Sequence, residues 1–188
     1  MINWHILFSI ASPVLAIWSV VPYIKDTIKG STRPNTVTWS LWVFILVIAL
    51  GAQLSSGWSS SIIFIVANLV GTAIVAVLSF SKRGYRHYGR IEWGCLFFCI
   101  AAVIFWRLTS QPMMAIFFAI SADLMAGIPT IIKAYEHPRS EYPLSWFILS
   151  FAAILGVLSN QEITLANSLF SGYLFIINGI IGLLSYRA

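Results

Sequence analysis

Apolar residues in this chain come in long, almost unbroken runs, without the period of an amphipathic helix or the alternation of a half-buried strand. Seven runs stand out, at about 4–24, 36–55, 59–80, 89–107, 112–134, 143–160 and 164–186. Each is near the roughly 20 residues an α-helix needs to cross bilayer hydrocarbon. The pattern predicts an all-α, polytopic membrane protein of seven transmembrane helices. The connections are short, with no soluble domain, low-complexity tract or nucleotide fingerprint among them.

The runs also repeat. Val21-Pro22-Tyr23-Ile24-Lys25 returns as Ile128-Pro129-Thr130-Ile131-Ile132, and Thr38-Trp39 returns as Ser145-Trp146. Both prolines and both tryptophans lie 107 positions apart (129 less 22, 146 less 39), and Leu78-Ser79-Phe80 returns as Leu184-Ser185-Tyr186 at 106 (184 less 78). Helices one to three therefore match helices five to seven. Two units of odd span count share an orientation only if an extra crossing joins them, so a parallel repeat demands a 3+1+3 plan. The expected organisation is residues 1–86 as the first three-helix unit, 87–108 as a linker helix and 109–188 as the second unit.

Composition agrees with a bilayer. The chain is 59% hydrophobic and only 9% charged, with a mean hydropathy of +0.88, where about a quarter of the residues of a soluble domain would be charged. The net charge of +5 sits between apolar runs and is not interleaved with a soluble fold, so nucleic acid is not an expected partner. Alternating the connections puts Lys25, Lys29, Arg33, Lys82, Arg83, Arg86, Arg90, Lys133, Arg139 and Arg187 on one side and Arg107 alone on the other. By the positive-inside rule the N-terminus lies outside and the C-terminus in the cytoplasm, in a membrane expected to be the bacterial inner membrane. The basic loops then form a solvated face attracted to anionic lipid. Trp4, Trp58 and Trp106 fall at the outer boundary and Trp93 at the inner one, as interfacial anchors do. The first run lacks a basic leader segment and contains Pro13 and Pro22, so it reads as a retained span. Cys95 and Cys99 lie four apart on one helix face, as packing or lipid-facing residues that cannot easily bridge each other.

The 3+1+3 plan, together with the stretch from Pro22-Tyr23 through Arg33-Pro34-Asn35-Thr36 into Trp39, resembles the PQ-loop superfamily, which includes the SWEET sugar transporters and the half-size bacterial SemiSWEETs. In place of the family's Pro-Gln this chain has Pro22-Tyr23 and Pro129-Thr130, and Pro34 and Pro143 stand at the starts of helices two and six. The resemblance implies transport of a small polar solute, a sugar by family default, by alternating access. It also implies that polar residues of the third and seventh helices hold the substrate. A proton-coupled amino-acid, nucleoside or vitamin transporter, or a SWEET-fold receptor without transport like the KDEL receptors, are the alternatives. A homo-oligomer stays open.

Individual residues carry the expected chemistry. Asn68 is about nine residues into helix three, roughly 14 Å deep, with Thr72 one turn later on the same face. Asn178 matches Thr72 at the offset of 106, and Gly172, Gly179 and Gly182 on its helix permit close approach of a backbone or a ligand. These polar residues are candidates for substrate binding; an interhelical hydrogen bond worth ~0.6 kcal/mol is the alternative. Asp123 lies about eleven residues into helix five, where an ionised carboxylate costs at least ~2.5 kcal/mol, so it must face the interior, be paired or be protonated. It is the candidate for proton coupling, with Ser121 or Asn178 as partners. Trp39, Trp42 and Trp146 fall on the cytoplasmic turns of helices two and six, either as interfacial anchors or as an inner gate and flat pocket wall. Pro22 and Pro129 each remove a helical hydrogen bond, so a kink and a hinge are expected about a turn before the cytoplasmic ends of helices one and five, with a static bend as the alternative. An enzyme is not expected. His5, His87 and His137 lie at or beyond helix ends, no metal-binding pair falls within a span, and helix seven has no lysine for a Schiff base. No cofactor is expected.

Overall fold

The computed structural model describes residues 3–55, 60–86, 89–109, 112–161, 163 and 165–187. Over these residues the chain is all-helical. Seven α-helices follow in order, α1 (Trp4–Lys29), α2 (Thr36–Ser55), α3 (Ser60–Ser79), α4 (Arg90–Thr109), α5 (Pro112–Glu136), α6 (Pro143–Leu158) and α7 (Leu165–Tyr186), with a short 3-10 turn at Pro138–Ser140 before α6. Three stretches, Trp4–Lys29, Ile116–Glu136 and Ser168–Tyr186, are long and apolar enough to cross a membrane. Thr36–Val47, Ile63–Ser79 and Pro143–Leu158 are shorter apolar helices.

The apolar runs mark the helices closely except at the end of α1. Hydrophobicity fades after Ile24, but the helix continues to Lys29 and closes on Gly30, whose φ of +86° is the left-handed conformation that glycine adopts without strain. The Gly30 N–H donates to the carbonyls of Asp26 and Thr27, and the Ser31 N–H also reaches Asp26. Hydrogen bonding, and not apolarity, sets that end. α1 also runs without interruption through Pro13 and Pro22, and α5 through Pro129. Asn35 starts α2 by accepting from the Thr38 N–H at 3.1 Å, and Pro143 fills the first turn of α6, where a missing N–H costs nothing.

Packing follows one scheme twice. α3 lies against both α1 and α2, and α7 lies against both α5 and α6. Across the two sets α1 packs on α6 and α2 on α5, while α4 leans on α5 and, more lightly, on α2. Side-chain hydroxyls fasten these contacts to neighbouring backbones: Ser12 Oγ donates to the Ala152 carbonyl at 2.8 Å, Ser150 Oγ to Phe175 at 2.7 Å and Thr36 Oγ1 to Ser79 at 3.0 Å. Small residues let the helices close in. A Cβ on Gly71 would stand 2.8 Å from a methyl of Val20, and one on Gly182 2.8 Å from the Phe147 ring. Gly172 has open space around it and no neighbouring protein atom within 4 Å of where a Cβ would stand.

The molecule is apolar outside and partly polar within. Trp18, Val77, Phe97 and Leu183 are among many large apolar side chains left exposed, while Ser12, Ser19, Thr27, Thr72, Thr130 and Ser185 are buried. A hydrocarbon surround reconciles the two, since it solvates the outer faces and leaves polar groups to find partners inside. Trp4 and Trp93 are exposed at helix ends, as anchors would be. Trp58 and His87, and the side chain of Trp106, lie outside the described residues. Cys95 and Cys99 are both buried, and the Cys99 thiol donates to the Ala122 carbonyl at 3.0 Å across the α4–α5 contact.

Candidate functional site

The sequence-predicted binding residues meet at one cavity. Asn68 and Thr72 of α3, Trp39 and Trp42 of α2, Asp123 of α5, Trp146 of α6 and Asn178 of α7 all line it, with Val20 of α1 and Phe170 of α7 closing its sides. The space is about 50 Å³, room for a few water molecules and too small for a sugar. Thr72 and Asn178 are both buried. Asn178 donates one amide N–H to the Leu174 carbonyl at 2.7 Å, one turn back on its own helix.

Asp123 is buried at this cavity, but its partner is neither of the two expected. The Tyr173 hydroxyl donates to Asp123 Oδ2 at 2.9 Å, linking α7 to α5. Ser121 instead donates to Phe117 on its own helix, and the Asn178 amide is turned to Leu174. Tyr173 was not singled out from the sequence because an aromatic in an apolar run looks like core. Its reach across the helix gap comes only from the fold. The Asp123 backbone is also held, its carbonyl accepting from Trp42 Nε1 at 3.4 Å.

On the basic side, aromatic rings close the cavity. Trp39 and Trp146 are 5% and 2% exposed, so the interfacial-anchor reading is set aside for both. Tyr23 of α1 packs on Trp39 at 5.1 Å and on Trp146 at 5.9 Å between ring centroids, and Trp42 touches both tryptophans, at 5.3 and 6.0 Å. Trp39 and Trp146, the pair matched in the repeat, lie 6.0 Å apart. The four rings form a plug drawn from α1, α2 and α6.

Below the plug lies a feature absent from the sequence reading. Glu141, in the turn before α6, is buried with its Oε1 paired to Lys133 Nζ of α5, and its Oε2 accepts from the Tyr23 hydroxyl at 2.8 Å and from Trp146 Nε1 at 3.0 Å. Lys133 also donates to the Arg33 carbonyl in the α1–α2 connection. One carboxylate thus ties together both helix sets and two plug rings. Lys133 is 1% exposed, which corrects its placing on the solvated basic face. The other nine basic residues assigned to that side are exposed. A signal was present: Asp123, Thr130 and Lys133 are seven and ten residues along one helix, and that spacing puts all three on one stripe. Among the described residues, Thr27 Oγ1, Asn35 Nδ2, Thr38 Oγ1, Trp39 Nε1, Thr130 Oγ1 and Ser145 Oγ are buried without a hydrogen-bond partner.

The described residues hold no group of three or more metal-ligating side chains. His5 and His137 are exposed, as expected at helix ends. No family model matches the chain, and no match emerges from comparison with curated proteins or with solved structures.

The Lys133–Glu141 pair gives a direct test of the energetics at this end. Removing one partner of a buried pair leaves an uncompensated charge, at a cost of ~3–5 kcal/mol. Lys133→Met should therefore lower the unfolding temperature in detergent sharply, and the double variant Lys133→Met/Glu141→Gln should recover a large part of the loss. Equal losses in the single and double variants would mean that the two side chains do not act as a pair.

Proposed function

We propose that this protein is an integral membrane transporter with seven spans in a 3+1+3 arrangement, which moves a small polar solute by alternating access. The observation that carries the reading is the cavity: it lies between two helix sets of the same packing scheme and takes polar side chains from both. In each set the third helix lies between the other two, and the sets meet through reciprocal contacts, α1 on α6 and α2 on α5. That is the contact pattern of a parallel repeat about an axis along the membrane normal, with α4 as the joining span. It fits the resemblance to SWEET-like transporters, in which a sugar is the default substrate. The ten-to-one distribution of basic residues supports a cytoplasmic location for the plugged end, an outside N-terminus and a bacterial inner membrane.

In this reading Asn68, Thr72 and Asn178 hold the solute, and Trp39 and Trp146 give it a flat wall. The plug and the Lys133–Glu141 pair close the inner side. Opening that side would separate Tyr23 and the Arg33 carbonyl from Glu141 and Lys133, and would bring water to the buried hydroxyl and amide groups that have no partner. Pro22 and Pro129 lie about a turn or two from the ends of their helices, where a hinge would have this effect.

A second reading, proton-coupled uptake, is favoured by the Asp123–Tyr173 contact. In that reading the Asp123 carboxyl, bonded to Tyr173 of the same three-helix set, would take up a proton in one facing state and release it in the other.

Uptake into proteoliposomes of labelled monosaccharides, amino acids and nucleosides tests the class of function directly. Asn178→Ala should abolish uptake of the transported solute while leaving stability nearly unchanged, because the hydrogen bond it loses is to Leu174 on its own helix. Retained uptake with a lowered melting temperature would make Asn178 a packing residue.

For proton coupling, Asp123→Asn keeps the shape and fixes the neutral form. It should preserve exchange of solute for solute and lose accumulation driven by an imposed proton gradient. An asparagine variant that accumulates solute like the parent would make the protein a uniporter. Failure of every solute to enter would favour a receptor.

A further inference from the structure

The α1–α2, α3–α4 and α5–α6 connections meet at one end of the bundle and are sewn together by their backbones. The Arg33 N–H donates to the Ser140 carbonyl at 2.9 Å, the Tyr85 N–H to the Pro34 carbonyl at 2.9 Å and the Thr36 N–H to the Tyr85 carbonyl at 3.2 Å. Between them is a groove of about 710 Å³, lined by Ser31, Arg33, Tyr85, His137, Arg139 and Ser140 together with the Pro138 ring. It is separate from the cavity between the helix sets and shares no lining residue with it.

Several of the carbonyls around the groove are already engaged. The Arg33 carbonyl takes the Lys133 ammonium, the Ser140 carbonyl takes the Arg33 N–H, and the His137 carbonyl takes both the N–H and the hydroxyl of Ser140. The Ser31 hydroxyl is spent on the Asp26 carbonyl. What remains are two exposed guanidinium groups, Arg33 and Arg139, and an exposed imidazole, His137. No acidic side chain lines the groove, and among the described residues no carboxylate pairs with either arginine. Glu141, two residues from Arg139, is buried and committed to Lys133, Tyr23 and Trp146. Two arginines lining one groove, on connections tied to each other by backbone hydrogen bonds and neither paired with a carboxylate among the described residues, are the donor set that a phosphate group fits through paired N–H···O bonds.

We propose that this groove binds a phosphate group, carried either by an anionic lipid headgroup or by a soluble phosphate compound, between Arg33 and Arg139. Arg33 belongs to the connection after α1 and Arg139 to the one after α5. The bound anion therefore joins the α1–α2 connection to the α5–α6 connection, beside the link that Lys133 of α5 makes to the Arg33 carbonyl, and it holds that end of the bundle together.

The test is thermal unfolding of the purified protein in a neutral detergent at fixed ionic strength. The probes are inorganic phosphate, a short-chain phosphatidylglycerol and, as the zwitterionic control, a short-chain phosphatidylcholine. The proposal expects a saturable rise in melting temperature with phosphatidylglycerol and none with phosphatidylcholine. A matching rise with inorganic phosphate assigns the site to the phosphate group alone, and its absence assigns it to the lipid headgroup. Arg33→Gln/Arg139→Gln should unfold at the parent's temperature without a probe and lose the rise. Lys82→Gln/Arg83→Gln, which removes two exposed charges of the same side outside the groove, should keep it. No rise with either anion, or a rise lost equally in both double variants, would overturn the proposal and leave only a diffuse basic surface.

Discussion

A lysine and a glutamate buried side by side are costly unless every remaining proton and lone pair is engaged, and much of this molecule's basic-side end is arranged to meet that condition. Glu141 spends one oxygen on Lys133 and the other on Tyr23 and Trp146, while Lys133 uses a further proton on the Arg33 carbonyl. Satisfying the pair therefore requires α1, α5, the start of α6 and the α1–α2 connection to arrive at one point. The aromatic plug follows, because two of its four rings are fixed by hydrogen bonds to the same carboxylate.

The repeat does not extend to this pair. At the offset of 107, Lys133 matches Asp26 and Glu141 matches Pro34 (133 less 107, 141 less 107). Asp123 matches Ala16 by the same offset, and Tyr173 matches Ala67 at 106. The backbone scheme is duplicated, yet each polar pairing that crosses helices at the cavity and at the plug is built from the second set alone or is centred on it. In the proposed transporter the first set supplies Asn68, Thr72 and one tryptophan wall, while the second supplies the acid and the lock.

Much of this was legible in the sequence because long apolar runs allow few arrangements other than packed helices. Long apolar runs set the helices to within a few residues except at the end of α1, and the matched prolines and tryptophans gave the expectation of two three-helix units. Asn68, Thr72, Asp123, Trp39, Trp146 and Asn178 were named from depth and residue type, and they line one cavity. What escaped depends on distance between chain segments. Tyr173 reads as one more aromatic in an apolar run until α7 lies against α5. Glu141 reads as a loop acid between prolines, and Lys133 as one of ten basic residues, until the α5–α6 turn folds under the plug. The end of α1 escaped for a different reason: a glycine in the left-handed conformation ends the helix, and hydrophobicity does not register it.

The central claim is that the plug and the Lys133–Glu141 pair hold together two helix sets that can part at this end. Spin labels placed at Lys29, at the end of α1, and at Glu136, at the end of α5, measure that separation by pulsed dipolar spectroscopy. The measurement is made in lipid nanodiscs, in a background with Cys95 and Cys99 replaced by alanine. The account predicts a distribution dominated by a short distance, with a second, longer distance that gains population in Glu141→Gln. A single distance that is unchanged by Glu141→Gln would contradict it.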